Sequence, residues 1–157
     1  MDLKNEIERA TAPAYAGFWK RTAATLVDLV IIMVVTLPML VALYGTSYFS
    51  RSPEDGFAGI GDFLIQIVLP AAFTLMFWKL RGATPGKMVL GLRVADAASL
   101  EAPANGQLLI RYIAYLASAL PLGLGFLWVA VDKRKQGFHD KLARTVVIED
   151  DDVEGDD

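Results

Sequence analysis

Three long apolar stretches, separated by short polar ones, dominate the pattern of hydrophobic and polar positions along the chain. The first runs from Phe18 to Tyr44, and its part from Thr22 onwards covers about 23 residues, enough for a helix to cross a hydrocarbon core of about 30 Å. The second runs from about Ile60 to Leu80, and the third from about Leu108 to Val131. Because only helices satisfy every backbone polar group inside a bilayer, the pattern predicts an all-α transmembrane bundle of three segments.

The third segment differs from the other two, because Pro121, Gly123 and Gly125 weaken a continuous helix in its middle. The basic stretch that follows it favours the cytoplasmic side, which a re-entrant hairpin satisfies and a single span does not. The stretches GLRVAD and RTVVIE look like strands, and they can pair only if both lie on one side. We therefore expect an interrupted or re-entrant segment, with a plain single span as the alternative. The first of these stretches also fits an amphipathic segment on the bilayer surface.

Basic residues mark one end of each predicted span, at Lys20 and Arg21 and again at Lys79 and Arg81. The loop between the spans carries Arg51 as its single basic residue, so the positive-inside rule places this loop outside. The pattern predicts a multi-pass protein of the plasma membrane. It divides into a cytoplasmic segment (1–17), a transmembrane domain (18–148) and an acidic, disordered tail (149–157).

Composition supports a membrane protein and excludes several other classes. Hydrophobic residues make up 54% of the 157 positions. The net charge is −3, and removing the seven acidic residues of the tail leaves a basic body of +4, which favours anionic lipid headgroups rather than nucleic acid as a partner. The chain has no cysteine and one histidine, so we expect neither a metal site nor a cofactor. No nucleotide-binding or hydrolase motif is present, and we do not expect an enzyme.

Two charged residues of the first segment are candidates for function. Arg21 and Asp28 are seven positions apart, which places them near one face of a helix at an axial separation of about 10 Å. A carboxylate at the depth of Asp28 costs about 2–3 kcal/mol in lipid, so it should face protein or water. It is either an ion or proton site or a residue that fixes helix packing. Arg21 can reach lipid phosphate or meet an acid from the C-terminal block.

Three sequence blocks resemble the RDD family of membrane proteins, which is named for one arginine and two aspartates. They are YAGFWKRTAATLVDLVII, TPGKMVLGLRVAD and GFHDKLARTVVI, in that order along the chain. The resemblance implies that Arg21 is the arginine and Asp28 the first aspartate. Asp140 is the expected second aspartate, with Asp132 as the alternative. Ligand transport has been suggested for this family, so the resemblance implies a membrane transport role.

These observations lead us to expect transport of a small solute or ion, with cation/proton exchange at an intramembrane aspartate as the favoured form. A chain this short encloses little space by itself, so we also expect a homo-oligomer. A module that binds other membrane proteins without transport is the alternative. The expected substrate- or ion-binding residues are Arg21, Asp28, Asp140, Asp132 and Gln66. Arg111 and a His139–Asp140 hydrogen-bonded pair are expected to be structural, and Gln66 fits an interhelical hydrogen bond as well.

Overall fold

The computed structural model describes residues 13–119 and 123–150. Helix α1 is Phe18–Tyr44 (27 residues) and helix α2 is Ile60–Arg81 (22 residues), with a π-helical turn at Leu64–Val68. Both are long and apolar enough to cross a membrane. Only 17% of the most apolar part of α1 and 11% of that of α2 is buried, whereas a core helix of a soluble protein would be mostly covered. These exposed apolar faces fit a lipid environment.

Shorter elements make up the rest of the described chain. Two 3-10 turns, Thr46–Ser50 and Pro53–Asp55, connect α1 to α2. The elements after α2 are helix α3 (Pro85–Val89), strand β1 (Leu92–Asp96), helix α4 (Asn105–Ala119), helix α5 (Leu124–Leu127) with a 3-10 turn (Trp128–Ala130), helix α6 (Phe138–Ala143) and strand β2 (Thr145–Glu149).

A two-stranded antiparallel sheet corrects the all-α expectation. Leu92 of β1 lies opposite Glu149 of β2, and Asp96 lies opposite Thr145, which confirms the predicted pairing of the two strand-like stretches. The chain before α1 runs along the other edge of β2, where the Ala16 N–H donates to the Val147 carbonyl at 2.9 Å. Strand β2 is rich in buried β-branched residues, the type that packs well on a pleated surface.

The main hydrophobic core lies where the sheet meets the start of α1 and the end of α2. Strand β1 is tied directly to the end of α2, because the Val94 N–H donates to the Gly82 carbonyl at 2.8 Å. One end of the α1–α2 pair is therefore covered by a small folded layer of sheet and short helices. The buried members of this core are Ala16, Ala24, Trp78, Leu92, Val94, Leu108 and Val147.

The third apolar segment starts and ends at this same layer, and the predicted transmembrane bundle of three segments, the third interrupted or re-entrant, is not confirmed. Near the start of α4, the Gln107 amide donates to Asp96 at 2.6 Å. Beyond the end of α4 the chain folds back, and a Cβ added at Gly125 of α5 would lie 2.5 Å from the Cα of Ser118. The 15 residues of α4 span about 22 Å, less than the thickness of a hydrocarbon core.

The predicted terminal segments lie largely outside the described residues. Residues 1–12 and 151–157 of these segments are not among the described residues, so the disorder predicted for the tail stays a prediction. Glu149, predicted as the first tail residue, is instead the last residue of β2 and pairs with Lys20 at 2.7 Å. Asp150 pairs with Arg93 at 3.2 Å, so the ordered domain extends beyond residue 148.

Single cysteines placed in this cysteine-free chain test the arrangement. Ser99→Cys and Lys133→Cys should react with an impermeant thiol reagent from one side of the membrane, and Ser47→Cys from the other. All three positions are exposed, and the first two belong to the folded layer. Labelling of Ser99→Cys and Lys133→Cys from opposite sides would show that the third segment crosses the membrane.

Candidate functional site

Arg21, in the first turn of α1, places its guanidinium inside the folded layer. The side chain is 9% exposed. Its Nε donates to the Ala16 carbonyl at 3.0 Å, and its two terminal nitrogens donate to Asp140 and to the Lys135 carbonyl, each at 2.5 Å. The sequence analysis expected either lipid phosphate or an acid of the C-terminal block as the partner of Arg21. The partner is the acid, Asp140.

Asp140, in the first turn of α6, is the centre of this cluster and is fully buried. It accepts hydrogen bonds from Arg21, from Arg111 of α4 and from the Gly137 N–H at 2.9 Å. Burial disfavours the charged carboxylate, but the two guanidiniums outweigh this effect and hold the pKa of Asp140 well below its usual range. The carboxylate is therefore charged at physiological pH and joins three helices.

Arg111, expected to be a structural residue, is the second cation on Asp140. It is 1% exposed and also donates to the Thr145 hydroxyl at 2.6 Å. Its guanidinium carbon lies 5.2 Å from the ring centroid of Trp78, within range of a cation–π contact. The sequence placed Arg111 near the start of an apolar segment but gave no indication that it pairs with Asp140.

Asp28 lies two turns further along α1 and contacts α3 instead of α6. One carboxylate oxygen accepts from the Thr84 hydroxyl at 2.5 Å and the other from the Gly86 N–H at 2.7 Å. Asp28 thus occupies the position of an N-cap residue for α3, although it belongs to another helix. The carboxylate is partly exposed and has neutral donors as its hydrogen-bond partners.

Gly86 allows this contact because α3 packs directly on the backbone of α1. A Cβ added at Gly86 would lie 2.0 Å from the Ala24 carbonyl oxygen and 2.9 Å from the Asp28 carboxyl carbon. Any side chain would therefore push the two helices apart. The sequence analysis placed Thr84 to Gly86 in a block that resembles the family, but did not identify them as the partners of Asp28.

Lys87, which the sequence analysis did not select, follows Gly86 in α3 and is 6% exposed. Burial is the main reason that its pKa is lowered from 10.5 to about 8, because it removes the ammonium from water. Arg111 and Arg21 lower the pKa further, whereas Asp28 and Asp140 act in the opposite direction. An ordinary lysine is charged throughout the physiological range, but Lys87 is close to its titration midpoint.

His139 lies beside the cluster without the expected hydrogen bond to Asp140. Its Nε2 is 3.6 Å from the Asp140 carboxylate, while its Nδ1 lies 3.0 Å from the Ser118 hydroxyl, which also accepts from the His139 N–H. The residue is 5% exposed, and burial lowers its pKa to about 3. The neutral imidazole therefore links α6 to α4 rather than orienting the acid.

Asp132 and Gln66 lie apart from the cluster. Asp132 pairs with Lys141 at 2.5 Å and accepts the N–H groups of Arg134 and Gln136, which holds the turn before α6. Gln66 lies in the π-helical turn of α2, near the other end of the α1–α2 pair. Its amide donates to the Tyr48 hydroxyl at 2.7 Å and to Asp62, the one acidic residue of α2, at 2.5 Å.

Asp62 is a buried carboxylate that the sequence analysis did not select. It is 1% exposed and accepts from the Tyr48 hydroxyl and the Ala58 N–H, each at 2.7 Å. Its own N–H donates to the Tyr44 hydroxyl, so the network ties the end of α1 to the start of α2. These donors are uncharged, and the network closes the end of the helix pair opposite to Arg21.

The candidate site is therefore a charged layer at one end of the helix pair, with Asp140 between two arginines and Asp28 near Lys87. In residues 13–119 and 123–150, no three histidine or acidic side chains are close enough together to hold a metal. Single carboxylate, hydroxyl and carbonyl oxygens suit a hard cation better than a transition metal. The Asp28 side of the layer offers such oxygens at Asp28 and Thr84.

The model of a known protein family matches residues 15–144 of the chain, a range that includes Arg21, Asp28 and Asp140. The chain belongs to the RDD family. Of the two aspartates considered for the second position of the family name, Asp140 and Asp132, Asp140 is the one that pairs with Arg21. No solved structure matches the chain.

Similar proteins occur in bacteria. The uncharacterized protein YxaI of Bacillus subtilis is 30% identical over 148 residues, with 85% of this chain and 96% of that protein covered. The uncharacterized protein YckC of the same species is 31% identical, with 84% and 83% covered. The uncharacterized protein RP437 of Rickettsia prowazekii is 35% identical over 86 residues, which cover 55% of this chain and 47% of the relative.

Removing the charge of Asp140 should destabilise the protein strongly. Asp140→Asn leaves two buried guanidiniums without a counter-charge, and we expect a loss of about 3–5 kcal/mol in the free energy of unfolding. The stability that the charged Asp140 contributes to the wild-type protein is fully present above the ordinary carboxyl pKa of 3.8. It is lost as pH falls towards the lowered pKa of Asp140 in the folded state. Equilibrium unfolding in mixed micelles measures both effects.

Asp132→Asn is the control for this variant, because its charge partner Lys141 is 44% exposed and asparagine keeps an oxygen acceptor for the Arg134 and Gln136 N–H groups. It should cost no more than about 1 kcal/mol. Equal losses for the two variants would contradict the central role of Asp140.

A methyl group at Gly86 should detach α3 from α1. We expect Gly86→Ala to lower stability by about 1–3 kcal/mol through overpacking and to break both hydrogen bonds of Asp28. Gly106→Ala is the control, since nothing lies within 4 Å of a Cβ at that position in α4, and alanine favours helix. Unchanged unfolding of Gly86→Ala would disprove the close contact.

Proposed function

We propose that this RDD family protein is a multi-pass protein of the plasma membrane that exchanges a small cation for a proton at Asp28. The observation that carries the proposal is the carboxylate of Asp28, which lies inside the first apolar helix and has no cation within ion-pair distance in the described part of the chain. Each of its oxygens accepts one hydrogen bond, at 2.5 and 2.7 Å, from neutral donors. A carboxylate oxygen accepts two or more, so lone pairs remain for a cation.

Charge distribution supports an orientation with the folded layer in the cytoplasm. The layer contains most of the arginines and lysines, whereas the loop between α1 and α2 has Arg51 alone. Exposed basic side chains of the layer, among them Lys20 and Lys133, are suited to anionic headgroups. In this orientation a cation would reach Asp28 from the cytoplasm, and the Asp62 network lies at the outer end of the α1–α2 pair.

Oligomerisation is part of the proposal. Two helices cannot enclose an aqueous path by themselves, and both keep exposed apolar faces along their length. Packing of these faces against a second copy would surround the inner face of α1 with protein. The re-entrant arrangement of α4 and α5, whose exposed residues include Ile113 and Leu127, would then cover the cytoplasmic mouth from the inner leaflet.

The second candidate is a module that binds other membrane proteins without transporting anything. It is favoured by the N-cap geometry at Asp28, because a carboxylate that fixes α3 on α1 needs no ion. The two candidates differ in one respect that can be measured. An ion site needs the negative charge of Asp28, whereas a cap needs only an oxygen acceptor.

The variant Asp28→Asn distinguishes an ion site from a helix cap, because asparagine keeps a carbonyl oxygen and loses the charge. In proteoliposomes tested with sodium, potassium and lithium under an imposed pH gradient, we expect wild-type exchange and a rate for Asp28→Asn equal to that of empty vesicles. Asp55→Asn, in the exposed loop, should behave as wild type. Wild-type rates for a correctly folded Asp28→Asn would reject the ion site and leave the binding module.

A further inference from the structure

An open cavity of about 410 Å³ lies between the α1–α2 loop and the first turns of α2, at the end of the helix pair opposite the folded layer. Its volume is in the range of sites that hold a small organic molecule. The lining includes three aromatic rings, one cation and one amide, which belong to Tyr48, Phe49, Phe57, Arg51 and Gln66. A molecule in this cavity would therefore meet apolar, charged and hydrogen-bonding groups together.

A buried carboxylate lies directly behind this lining. Asp62 is 1% exposed and accepts hydrogen bonds from the Tyr48 hydroxyl at 2.7 Å and from the Gln66 amide at 2.5 Å. Because both donors line the cavity, one layer of side chains separates the cavity from the acid. No lysine, arginine or histidine nitrogen of residues 13–119 and 123–150 lies within 4 Å of Asp62. Buried charges are normally paired, so a cationic group of a ligand would complete this site.

The Gln66 amide occupies the position that a ligand ammonium would take. Its nitrogen donates both to Asp62, at 2.5 Å, and to the Tyr48 hydroxyl, at 2.7 Å. An ammonium group has three N–H donors, so it can make the same two hydrogen bonds and add the positive charge that an amide lacks. Gln66 is exposed, and exposed side chains change rotamer rapidly. An incoming ammonium can therefore displace this amide without a change in the backbone.

Arg51 supplies the opposite charge on the same cavity. It is exposed and is the single basic residue of the loop, and no carboxylate of the described residues lies within 4 Å of its guanidinium. A guanidinium binds a carboxylate or a phosphate through two parallel hydrogen bonds. The rings of Phe49 and Phe57, which are 57% and 50% exposed, offer apolar surface to the rest of a ligand. The cavity thus favours a ligand that carries a positive group, a negative group and an apolar part.

We propose that this cavity binds a small zwitterion. The ammonium of the ligand replaces the Gln66 amide at Asp62, and the carboxylate or phosphate of the ligand binds Arg51. A free amino acid with an apolar side chain and the headgroup of phosphatidylethanolamine both carry this pair of charges. The site lies outside the charged layer and needs no cation at Asp28, so it goes beyond the proposed exchange and can fail independently of it.

The test measures binding to the purified protein in detergent by titration calorimetry, with leucine and two analogues that each lack one charge. Leucinamide has no carboxylate, and we expect its dissociation constant to be about five-fold higher than that of leucine, because Arg51 is exposed. Isocaproate has no ammonium, and we expect a dissociation constant at least about thirty-fold higher, because the ammonium pairs with a buried acid. Glycerophosphoethanolamine distinguishes the two sources: tighter binding than leucine assigns the site to the lipid headgroup, and weaker binding assigns it to the amino acid.

Four variants assign the two ligand charges to the two protein groups. Arg51→Gln should bind leucine about five-fold more weakly than wild type but bind leucinamide equally well, because leucinamide has no carboxylate for Arg51. Asp62→Asn should lose at least about thirty-fold in affinity for both ligands. Gln66→Ala should bind leucine at least as tightly as wild type, because no amide has to be displaced. Glu54→Gln, an exposed acid of the same loop, is the control and should behave as wild type.

The ligand series on the wild-type protein covers the case in which Asp62→Asn does not fold. Equal binding of leucine, leucinamide and isocaproate would overturn the proposal, because neither charge would then be recognised. Absence of binding by both leucine and glycerophosphoethanolamine would also overturn it and leave Asp62 as an acid that only joins the two helices. Asp28→Asn should bind leucine as wild type does, which separates this site from the proposed exchange.

Discussion

The buried carboxylate of Asp140 is the interaction on which the folded layer depends. Two guanidiniums from separate helices converge on it, and each has a further acceptor, the Lys135 carbonyl for Arg21 and the Thr145 hydroxyl for Arg111, while the Nε of Arg111 is buried without a partner among the described residues. Burying three charges is costly, and the cost is offset only when nearly every donor and acceptor is satisfied. This cluster holds α4, α6 and the start of α1 in one arrangement, because separating them would leave buried charges unpaired.

Helix α1 uses its two charges for two different partners. The seven-residue spacing places Arg21 and Asp28 near one face of the helix about 10 Å apart, so Arg21 contacts α6 and Asp28 contacts α3. Arg21 binds the C-terminal block, and Asp28 binds the chain that follows α2. The charged residues of the family name thus attach both later segments of the chain to the first helix, and the close approach at Gly86 fixes the depth of the second attachment.

Local patterns in the sequence were sufficient for the parts of the fold that depend on local rules. Length and apolar composition predicted α1 and α2, and alternation with β-branched residues predicted the pairing of β1 with β2. The third segment was harder, because one face of α4 is apolar towards its surroundings while the opposite face carries Arg111 into the layer. From its composition such a helix is predicted to span the membrane. Its contacts with α6 show instead that the chain returns to the folded layer.

The contacts of the site could not be predicted in the same way, because they join residues far apart in the chain. Arg21 and Asp140 are 119 positions apart, and Asp28 and Thr84 are 56 apart. The family resemblance marked Arg21, Asp28 and Asp140, but it gave neither the second guanidinium on Asp140 nor the close approach of Gly86. Lys87 was missed because nothing in the local pattern distinguishes a buried lysine from an exposed one.

The two aspartates differ in a way that limits where ion exchange can occur. Asp140 is enclosed by two guanidiniums that cannot lose their protons at physiological pH, so its charge is fixed and its oxygens are occupied. Asp28 is bound by a hydroxyl and an amide, so its hydrogen-bond partners carry no charge. The arginine of the fixed ion pair and this second carboxylate thus lie on one helix, two turns apart. The ion exchange that we propose is therefore assigned to Asp28, because a change of charge at Asp140 would leave two buried guanidiniums without a counter-charge.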